Sequence, residues 1–510
     1  MNAFLVAGVI VPLLASVVLA LGRWSDTVAR GVALVASALT LELLLSAVLA
    51  AGPWRHSGMV AEVDVPWVPA LGVRMHLGLD GINAPLVVLT AVLGVLACLH
   101  SMRPDRESRP GANRPGARPA RHLLACVLAV VGGATGTFVA LDLIVFFVAF
   151  EIVLVPMWLL IAGWGDDRDP AVRRDAAYRF ILYTALGSVV MLLGILLVAM
   201  RAGTTDITLL AAGAGARLDP TTQTVAAGLL LLGLAVKVPA WPLHTWLPPA
   251  HTIAPTVGSV LLAGVLLKMG SYGMVRLVVG VLPEGLHRWG PLLAGLGVVG
   301  IIWGALACLV ERDLKRLIAF SSVAHMGFVL VGIGSGTPQG VQGALFANIA
   351  HGVITSLLFF VVGAIKERHH TSDLAAIGAG LRDRTPRRGW LLALGCIAGL
   401  GLPGLAGFWG ELLAILGAWD GAAVLGSSGA RWTAVLAAVG TALAAAYLLR
   451  VLYLVWHGVA EEPPAEVGDA DGLEVAVASP LVVGVFAFGL LPWLLLSVTS
   501  PAVTNLVGLR

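Results

Sequence analysis

Long apolar stretches separated by short polar connections dominate the chain. About 14 of them can be distinguished, each close to the roughly 20 residues of helix that cross the hydrocarbon core of a bilayer. The first stretch lacks the basic flank and small-residue cleavage site of a signal peptide, so we expect it to be retained as a helix. The pattern predicts an all-α polytopic membrane protein with about 14 transmembrane helices. The stretches lie near residues 2–21, 30–51, 81–101, 121–139, 141–163, 175–200, 223–238, 253–277, 290–310, 315–333, 342–364, 388–418, 430–456 and 474–498.

Composition supports this interpretation and excludes a soluble enzyme. Of the 510 residues, 58% are hydrophobic and only 12% are charged, and the mean hydropathy is +0.93. A soluble globular chain usually has about 25% charged residues. The net charge of +3 gives no indication of an acidic or nucleic-acid partner. We therefore expect the lipid bilayer to surround most of the chain, and no nucleic acid among its partners.

The sequence contains no recognisable site for a redox group or a nucleotide. Dinucleotide-binding, phosphate-loop, zinc-protease and nucleophile-elbow motifs do not occur in a suitable context. The four cysteines lie far apart in apolar stretches, without the spacings that hold iron–sulfur clusters, haem or zinc. We predict that no cofactor or metal is bound by this chain and that four thiols are buried: Cys98, Cys126, Cys308 and Cys396.

The distribution of basic residues predicts the orientation. Connections that follow odd-numbered stretches are rich in arginine and lysine, whereas even-numbered connections contain few. Basic connections remain on the cytoplasmic side, so both termini are expected on the outer side. The third connection is a flexible linker rich in Arg, Pro and Gly. The basic residues of the odd connections are Arg103, Arg106, Arg109, Arg114, Arg118 and Arg121, then Arg168, Arg173 and Arg174, then Arg312, Lys315 and Arg316, and finally Lys366, Arg368, Arg382, Arg384, Arg387 and Arg388.

Two of the apolar stretches contain helix-breaking residues beside an ionisable side chain. Pro239 and Pro242 follow Lys237, and Pro403 with three neighbouring glycines precedes Glu411. Broken helices occur at membrane depth only where protein or a wet cavity satisfies the freed backbone groups. Two such helices in corresponding places are typical of transporters built from two repeats. Two packing kinks without function are the alternative.

Six ionisable residues interrupt the apolar stretches near the middle of the membrane. Each costs at least roughly 2.5–3.5 kcal/mol at that depth, so each needs a partner or a function. Glu151, for example, lies about ten residues from either end of its stretch, roughly 15 Å from each surface. Singly, each could be a salt bridge or hydrogen bond that joins helices. As a set on six stretches they predict a proton relay formed by Glu151, Lys237, Lys268, His325, His351 and Glu411.

Other polar residues allow both a functional and a structural interpretation. His244 and His251 are seven residues apart and would share a helix face, as members of the relay or as structural histidines. Glu42 and Asp142 lie nearer the ends of their stretches, where interfacial or structural roles are usual. Asp313 precedes an apolar stretch and is predicted to cap the N-terminus of a helix.

The stretch from Lys237 to Arg276, KVPAWPLHTWLPPAHTIAPTVGSVLLAGVLLKMGSYGMVR, resembles the signature of a known family. The family comprises the proton-translocating, antiporter-like subunits of respiratory complex I and of related multisubunit cation/proton antiporters. The resemblance covers the fourth to thirteenth apolar stretches. Further matching segments are FEIVLVPMWLLIAGWG at Glu151, DLKRLIAFSSVAHMGFV at His325, HGVITSLLFFVVG from His351 and GLPGLAGFWGELLAILGAW at Glu411.

Within this family the sequence is most similar to the M-type subunits of bacterial NADH:quinone oxidoreductase. Glu411 indicates this group, because L-type, N-type and stand-alone antiporter subunits usually have a lysine at that point. The chain departs from the family at Pro249, where an acidic residue is common. A carboxylate role at that position is therefore not expected.

The resemblance implies a function and a set of partners. Glu151 and Lys237 would form an ion pair, Lys268 and the histidines would continue the path, and Glu411 would end it on the outer side. Protons would move outward through the bacterial inner or plasma membrane, coupled to quinone reduction elsewhere in the complex. The FMN, the iron–sulfur clusters and the quinone would belong to other subunits, and sister antiporter-like subunits would be neighbours.

The same resemblance implies two inverted five-helix repeats. We place an N-terminal three-helix segment with the Arg/Pro/Gly-rich loop at 1–120, the repeats at 121–280 and 281–457, and a C-terminal loop and helix at 458–510. Alternative functions are a subunit of a multisubunit cation/proton antiporter or of a membrane-bound hydrogenase. An inert scaffold is a further alternative, but it does not explain six charges at mid-membrane depth.

Overall fold

The structure is a computed structural model that describes residues 2–103, 119–166, 168–458 and 468–508. Within these ranges, 11 helices are long and apolar enough to cross a membrane, and three shorter apolar helices accompany them. The prediction of an all-α polytopic membrane protein is confirmed at this level. Most of the third connection, with Arg106, Arg109, Arg114 and Arg118, lies outside the described residues.

The N-terminal part contains three helices and one β-hairpin. The helices are α1 (Asn2–Leu21), α2 (Asp26–Ala51) and α3 (Ala84–His100), and strands β1 (Ala61–Val68) and β2 (Val73–Leu79) lie between α2 and α3. The strands pair antiparallel, with Val65 opposite Met75. The hairpin was not predicted. It follows from the alternation of apolar and polar residues along both strands, which is a period of two and not of 3.6.

The middle of the chain contains long helices interrupted by short irregular turns. Wider, π-helical turns at Leu262–Leu266 and Met274–Val279 continue two of the helices, and another forms Leu210–Ala214. The helices are α4 (Ala120–Val139), α5 (Leu143–Ile152), α6 (Leu154–Trp164), α7 (Pro170–Ala202), α8 (Ile207–Leu209), α9 (Pro220–Lys237), α10 (Leu247–Ile253), α11 (Thr256–Leu261) and α12 (Leu267–Gly273).

The last part repeats this mixture of long and interrupted helices. A π-helical turn at Leu452–Trp456 continues α21. The helices are α13 (Pro283–Val310), α14 (Leu314–Gly334), α15 (Pro338–His369), α16 (Leu374–Ile377), α17 (Leu381–Arg384), α18 (Pro386–Gly399), α19 (Ala406–Trp419), α20 (Ala422–Leu425), α21 (Ser427–Val451), α22 (Gly472–Leu490) and α23 (Trp493–Gly508).

The chain leaves helical geometry at both predicted breaks. Helix α9 ends at Lys237 and α10 begins at Leu247, and α18 ends at Gly399 while α19 begins at Ala406. The stretch 474–498, predicted as a single helix, is divided into α22 and α23. Pro492 lies between these two helices, and a proline cannot donate the hydrogen bond that would continue the first.

Two aspartates begin helices in closely similar ways. Asp142 caps α5 and accepts the Thr205 hydroxyl at 2.5 Å, and Leu143 N–H donates to Thr205 O at 2.8 Å. Asp313 caps α14 and accepts the Ser372 hydroxyl. The capping role predicted for Asp313 is confirmed. Both aspartates fix a helix start against a distant turn of the chain, after residue 204 in the first case and after residue 371 in the second.

Small residues allow neighbouring helices to approach closely. Gly187 of α7 and Gly233 of α9 face each other, and a Cβ atom added to Gly233 would lie 2.4 Å from the carbonyl oxygen of Gly187. Small residues at such crossings are the usual means of packing helices in a membrane. The most enclosed segment is Thr256–Val279, which comprises α11, α12 and their π-helical turns and is surrounded by other helices along its whole length.

Candidate functional site

Four of the six predicted relay residues form a continuous row inside the protein. Lys268 lies on α12, His351 on α15, His325 on α14 and Glu411 on α19. All four belong to different helices, and each one contacts or closely approaches the next. The row therefore depends on how these helices pack and not on any local sequence motif.

Lys268 is the first residue of the row. Its side chain is completely buried, and its Nζ donates to the carbonyl oxygen of Ala263 at 2.5 Å. Ala263 belongs to the π-helical turn Leu262–Leu266, where backbone hydrogen bonding is irregular. The same Nζ lies 2.5 Å from Nδ1 of His351. The buried amino group of Lys268 is thus held between a carbonyl oxygen and an imidazole with which it can exchange a proton.

His351 connects the lysine to the second half of the row. Because its Nδ1 accepts from Lys268, the neutral ring carries its own proton on Nε2. Nε2 is buried and has no hydrogen-bond partner among the described residues. The ring centroid lies 6.0 Å from that of His325, with the two rings inclined at 60°. Within the described part of the chain no hydrogen bond joins the two rings, so an intervening group is needed to complete this step.

His325 and Glu411 form the far end of the row. His325 Nδ1 lies 3.2 Å from Glu411 Oε1, and Glu411 Oε2 accepts the Thr441 hydroxyl at 3.0 Å. The helix break before α19 makes room for the carboxylate. Gly401 in this break has φ +72°, and a Cβ atom there would lie 2.8 Å from Glu411 Oε2. Glycine is needed both for the backbone conformation and for the space.

A small cavity joins the two halves of the row. Its volume is about 30 Å³, and His325, His351, Thr355 and Glu411 are among the residues that line it. This volume is enough for about one water molecule. Both His351 Nε2 and Glu411 Oε1 are buried without a hydrogen-bond partner in the part of the chain that the structure describes. A water molecule in the cavity can bond to these atoms and bridge the gap between the two histidines.

Glu151 and Lys237 do not form the direct ion pair that the family resemblance implies. Among the described residues, no nitrogen–oxygen contact within 4.0 Å joins them. Lys237 Nζ lies instead 4.8 Å from the centre of the Phe150 ring. Shortly after Glu151 the helix is interrupted between α5 and α6, where Pro156 cannot donate to Ile152.

His244 and His251 lie outside the row. His251 stacks on Phe359, with ring centroids 4.5 Å apart, and neither of its ring nitrogens has a hydrogen-bond partner among the described residues. His244 packs edge-to-face against Trp303 at 4.4 Å. Both imidazoles are buried. Their contacts fit either a structural role or a place on a hydrated branch, as the sequence predicted.

Several residues of the site were missed by sequence reasoning. Tyr447 and Thr441 on α21 contact His325 and Glu411, but neutral hydroxyls in an apolar helix give no hydropathy signal. Asp80 forms an ion pair with Arg276 at 2.7 Å, and both side chains are only 5% exposed. The pairing joins the turn before α3 to the π-helical turn after α12.

An ionic contact ties the connection after α6 to the last turn of α15. Asp166 follows α6 and accepts hydrogen bonds from Arg168, and its Oδ2 lies 2.8 Å from Lys366 Nζ. Partial burial raises the pKa of Asp166, but the hydrogen bonds from Arg168 and Lys366 outweigh burial and hold the pKa well below its usual range. The carboxylate is therefore ionised at neutral pH.

The four cysteines are buried free thiols, as predicted. Among the described residues, no group of three or more His, Cys, Asp or Glu side chains is arranged to hold a metal ion. The polar chemistry of the interior is that of ammonium, imidazole, carboxylate and hydroxyl groups. Such groups can accept and release protons, and they can also hold helices together.

Comparison with known proteins identifies the family. Residues 140–453 match the family described as "NADH:quinone oxidoreductase/Mrp antiporter, TM". The chain is 40% identical over 497 residues to the NAD(P)H-quinone oxidoreductase chain 4 1 of Synechococcus sp. (strain JA-3-3Ab), covering 96% of this chain and 90% of the relative. It is 37% identical over 513 residues to NADH-quinone oxidoreductase subunit M of Rhodobacter capsulatus, covering 97% and 94%.

Two solved structures have the same fold. A chain of respiratory complex I from Thermus thermophilus with bound NADH gives a TM-score of 0.85 at 29% identity, with 99% of both chains covered. A chain of the Mrp complex from Dietzia sp. DQ12-45-1b gives 0.84 at 23% identity, with 99% and 98% covered, which shows a likeness of fold. The protein is an integral membrane protein that belongs to the family of membrane subunits of NADH:quinone oxidoreductases and Mrp antiporters.

Proposed function

We propose that this chain is the M-type, proton-translocating membrane-arm subunit of a bacterial NADH:quinone oxidoreductase. The observation that supports it most directly is the buried row from Lys268 through His351 and His325 to Glu411. The NADH-quinone oxidoreductase subunit M of Rhodobacter capsulatus is similar over nearly its whole length. Electron transfer takes place in other subunits, which hold the FMN, the iron–sulfur clusters and the quinone, while this chain moves protons.

Glu151 and Lys237 act at the start of the path. Two opposite unit charges 4 Å apart interact by about 4 kcal/mol at an effective dielectric constant near 20, and by less at larger separation. An interaction of this order is comparable with the roughly 2.3 kcal/mol that each proton needs per 100 mV of membrane potential. A movement that changes the distance between Glu151 and Lys237 can therefore release or retain the proton on the lysine.

Glu411 releases the proton toward the outer side. It lies on α19 beyond the helix break, and its Oε1 approaches the imidazole that precedes it in the row. A carboxylate here, where sister subunits have a lysine, favours the M-type assignment. We take the orientation from the distribution of basic residues. The connections rich in arginine and lysine face the bacterial cytoplasm, so both termini lie on the outer side.

Two inverted repeats, 121–280 and 281–457, organise the path, between an N-terminal segment at 1–120 and a C-terminal segment at 458–510. The matched helix caps support this division. Asp142 with Thr205 and Asp313 with Ser372 hold equivalent helix starts, at the fourth and ninth connections, which are predicted to lie on opposite sides of the membrane. The two broken helices also occupy corresponding places. Counting each broken pair as one crossing gives about 14 transmembrane helices.

A first experiment tests the assembly. The tagged chain is extracted in mild detergent, separated by size and assayed in the gel for NADH oxidation. Migration with a large NADH-oxidising particle is expected, together with sister antiporter-like subunits. Migration in a smaller assembly without this activity would refute the respiratory-complex assignment and favour a cation/proton antiporter or a hydrogenase.

A second experiment tests translocation itself. Sealed membrane vesicles that contain the complex should acidify their lumen when NADH is supplied, and an uncoupler should abolish the signal. Replacing sodium by potassium in the medium should leave acidification unchanged if protons are carried. A strict requirement for sodium would contradict proton translocation by this row.

A further inference from the structure

Tyr447 contacts the row at His325, on the side of the imidazole opposite Glu411. The residue lies on α21 and is completely buried. Its hydroxyl lies 3.4 Å from Nε2 of His325, the ring nitrogen that faces away from Glu411. Tyr447 is not among the residues that line the cavity shared by His325, His351 and Glu411. The hydroxyl therefore contacts the histidine on the side opposite Glu411 and does not line the cavity that joins the two halves of the row.

We infer that Tyr447 is a positioning residue that fixes the orientation and the proton arrangement of His325. This inference rests on the proposed proton translocation. When the imidazole is neutral, the Tyr447 hydroxyl donates to Nε2, so the ring proton is on Nδ1, the nitrogen that lies 3.2 Å from Glu411 Oε1. Without that donor, either nitrogen of the neutral ring could carry the proton. The tyrosine thus selects the tautomer that can transfer its proton to the carboxylate.

The hydroxyl can also serve the charged imidazole. When Nε2 of His325 is protonated, it donates to the oxygen of the Tyr447 hydroxyl, which can accept as well as donate a hydrogen bond. One rotation of a hydroxyl group therefore satisfies both protonation states.

The loss of this hydroxyl should affect the two states unequally. A hydrogen bond to a charged partner contributes about 1.5–3 kcal/mol, against about 0.5–1.5 kcal/mol for a neutral one. Removing it therefore destabilises the protonated imidazole more than the neutral ring, and the pH profile of translocation should move to lower pH. The titratable groups that face His325 or Tyr447 from other helices are Glu411 of α19, His351 of α15 with Lys268 of α12 behind it, Cys308 of α13 and Cys396 of α18.

The test compares Tyr447→Phe with Tyr453→Phe in the assembled complex. Tyr453 lies six residues further on and is 72% exposed, so it controls for loss of a tyrosine hydroxyl from this segment. Vesicle acidification driven by NADH is measured between about pH 6 and pH 9 and normalised to NADH oxidation with uncoupler. We expect Tyr447→Phe to lower translocation several-fold and to shift the midpoint down by about 0.5–1 pH unit. Tyr453→Phe should match the wild type.

His325→Ala, measured in parallel, separates the two possible failures. Wild-type translocation in His325→Ala would refute the relay through His325, whatever Tyr447→Phe does. Impaired His325→Ala beside a fully active Tyr447→Phe would refute the positioning role alone. A Tyr447→Phe variant with reduced translocation but an unshifted pH profile would show that the tyrosine acts through packing, and this would also overturn the inference.

Discussion

Replacing Lys268 with methionine removes the ammonium group from the centre of the row and keeps a side chain of similar length. Nζ of Lys268 has two close partners, the carbonyl oxygen of Ala263 and Nδ1 of His351, each at 2.5 Å. Methionine favours helices and suits an apolar interior, so α12 should still form. We expect assembly to be retained while proton translocation falls by at least about tenfold.

The size of the effect follows from the lost contact between Lys268 and His351. A hydrogen bond from a charged donor contributes about 1.5–3 kcal/mol, and about 1.4 kcal/mol corresponds to a factor of ten in an equilibrium constant. Losing this bond should change the equilibrium of the proton-transfer step by about 10–150-fold. The effect on stability is smaller, because methionine also removes the desolvation penalty of a buried ammonium group.

The assay is the acidification of vesicles per NADH oxidised, with the amount of assembled complex measured in the same membranes. Lys366→Met is the matched control, since Lys366 also lies on α15 and is ion-paired, but with Asp166 at the end of the helix. Lys366 lies 15 residues beyond His351 on α15, roughly 22 Å along the helix axis, so this control should translocate at close to the wild-type rate. Acidification by Lys268→Met at more than half the wild-type rate, with normal assembly, would refute the role of Lys268 in the row.

Three further predictions concern other buried charges. Glu151→Gln and Lys237→Ala should each sharply reduce vesicle acidification while membrane insertion, checked by immunoblot, persists; wild-type pumping in either would contradict their coupling through space. Glu411→Gln should impair acidification, and Glu411→Lys should retain more of it because a lysine can still exchange a proton; equal loss in both would show that the sign of the charge matters there. Asp80→Ala should destabilise the subunit by about 3–5 kcal/mol, because Arg276 is left buried and unpaired. The loss should be measured as lower thermal stability in detergent. Adding Arg276→Met to Asp80→Ala should restore part of the lost stability, because the unpaired charge is then removed.

The sequence was sufficient to find the ionisable residues of the row but not to show which of them contact one another. Lys268, His325, His351 and Glu411 are conspicuous because a charge in an apolar stretch is expensive, and that rule needs no structure. Tyr447 gives no such signal, because a tyrosine in an apolar helix is ordinary. Its importance arises only when α21 packs against α14, a contact between segments more than 100 residues apart.

Where the sequence misled, the cause was helix rotation or periodicity. Glu151 and Lys237 were expected to touch, but the direction of each side chain depends on the kink between α5 and α6 and on the end of α9, which a linear pattern does not give. The β-hairpin at Ala61–Leu79 was overlooked for a different reason. Its strands are short and only half apolar, so they contribute little to a search for membrane helices.

The complete enclosure of Thr256–Val279 separates it from the lipid. By contrast, only 28% of the most apolar part of α1 and of α22, and 39% of that of α7, is covered by the rest of the chain. Changes in bilayer thickness or acyl-chain order act first on such outer helices, through tilt and hydrophobic mismatch. Such changes in the bilayer reach the segment that contains Lys268 only through movements of the surrounding helices. The surroundings of Lys268 are therefore formed by protein side chains, and their polarity does not depend on the lipid composition of the membrane.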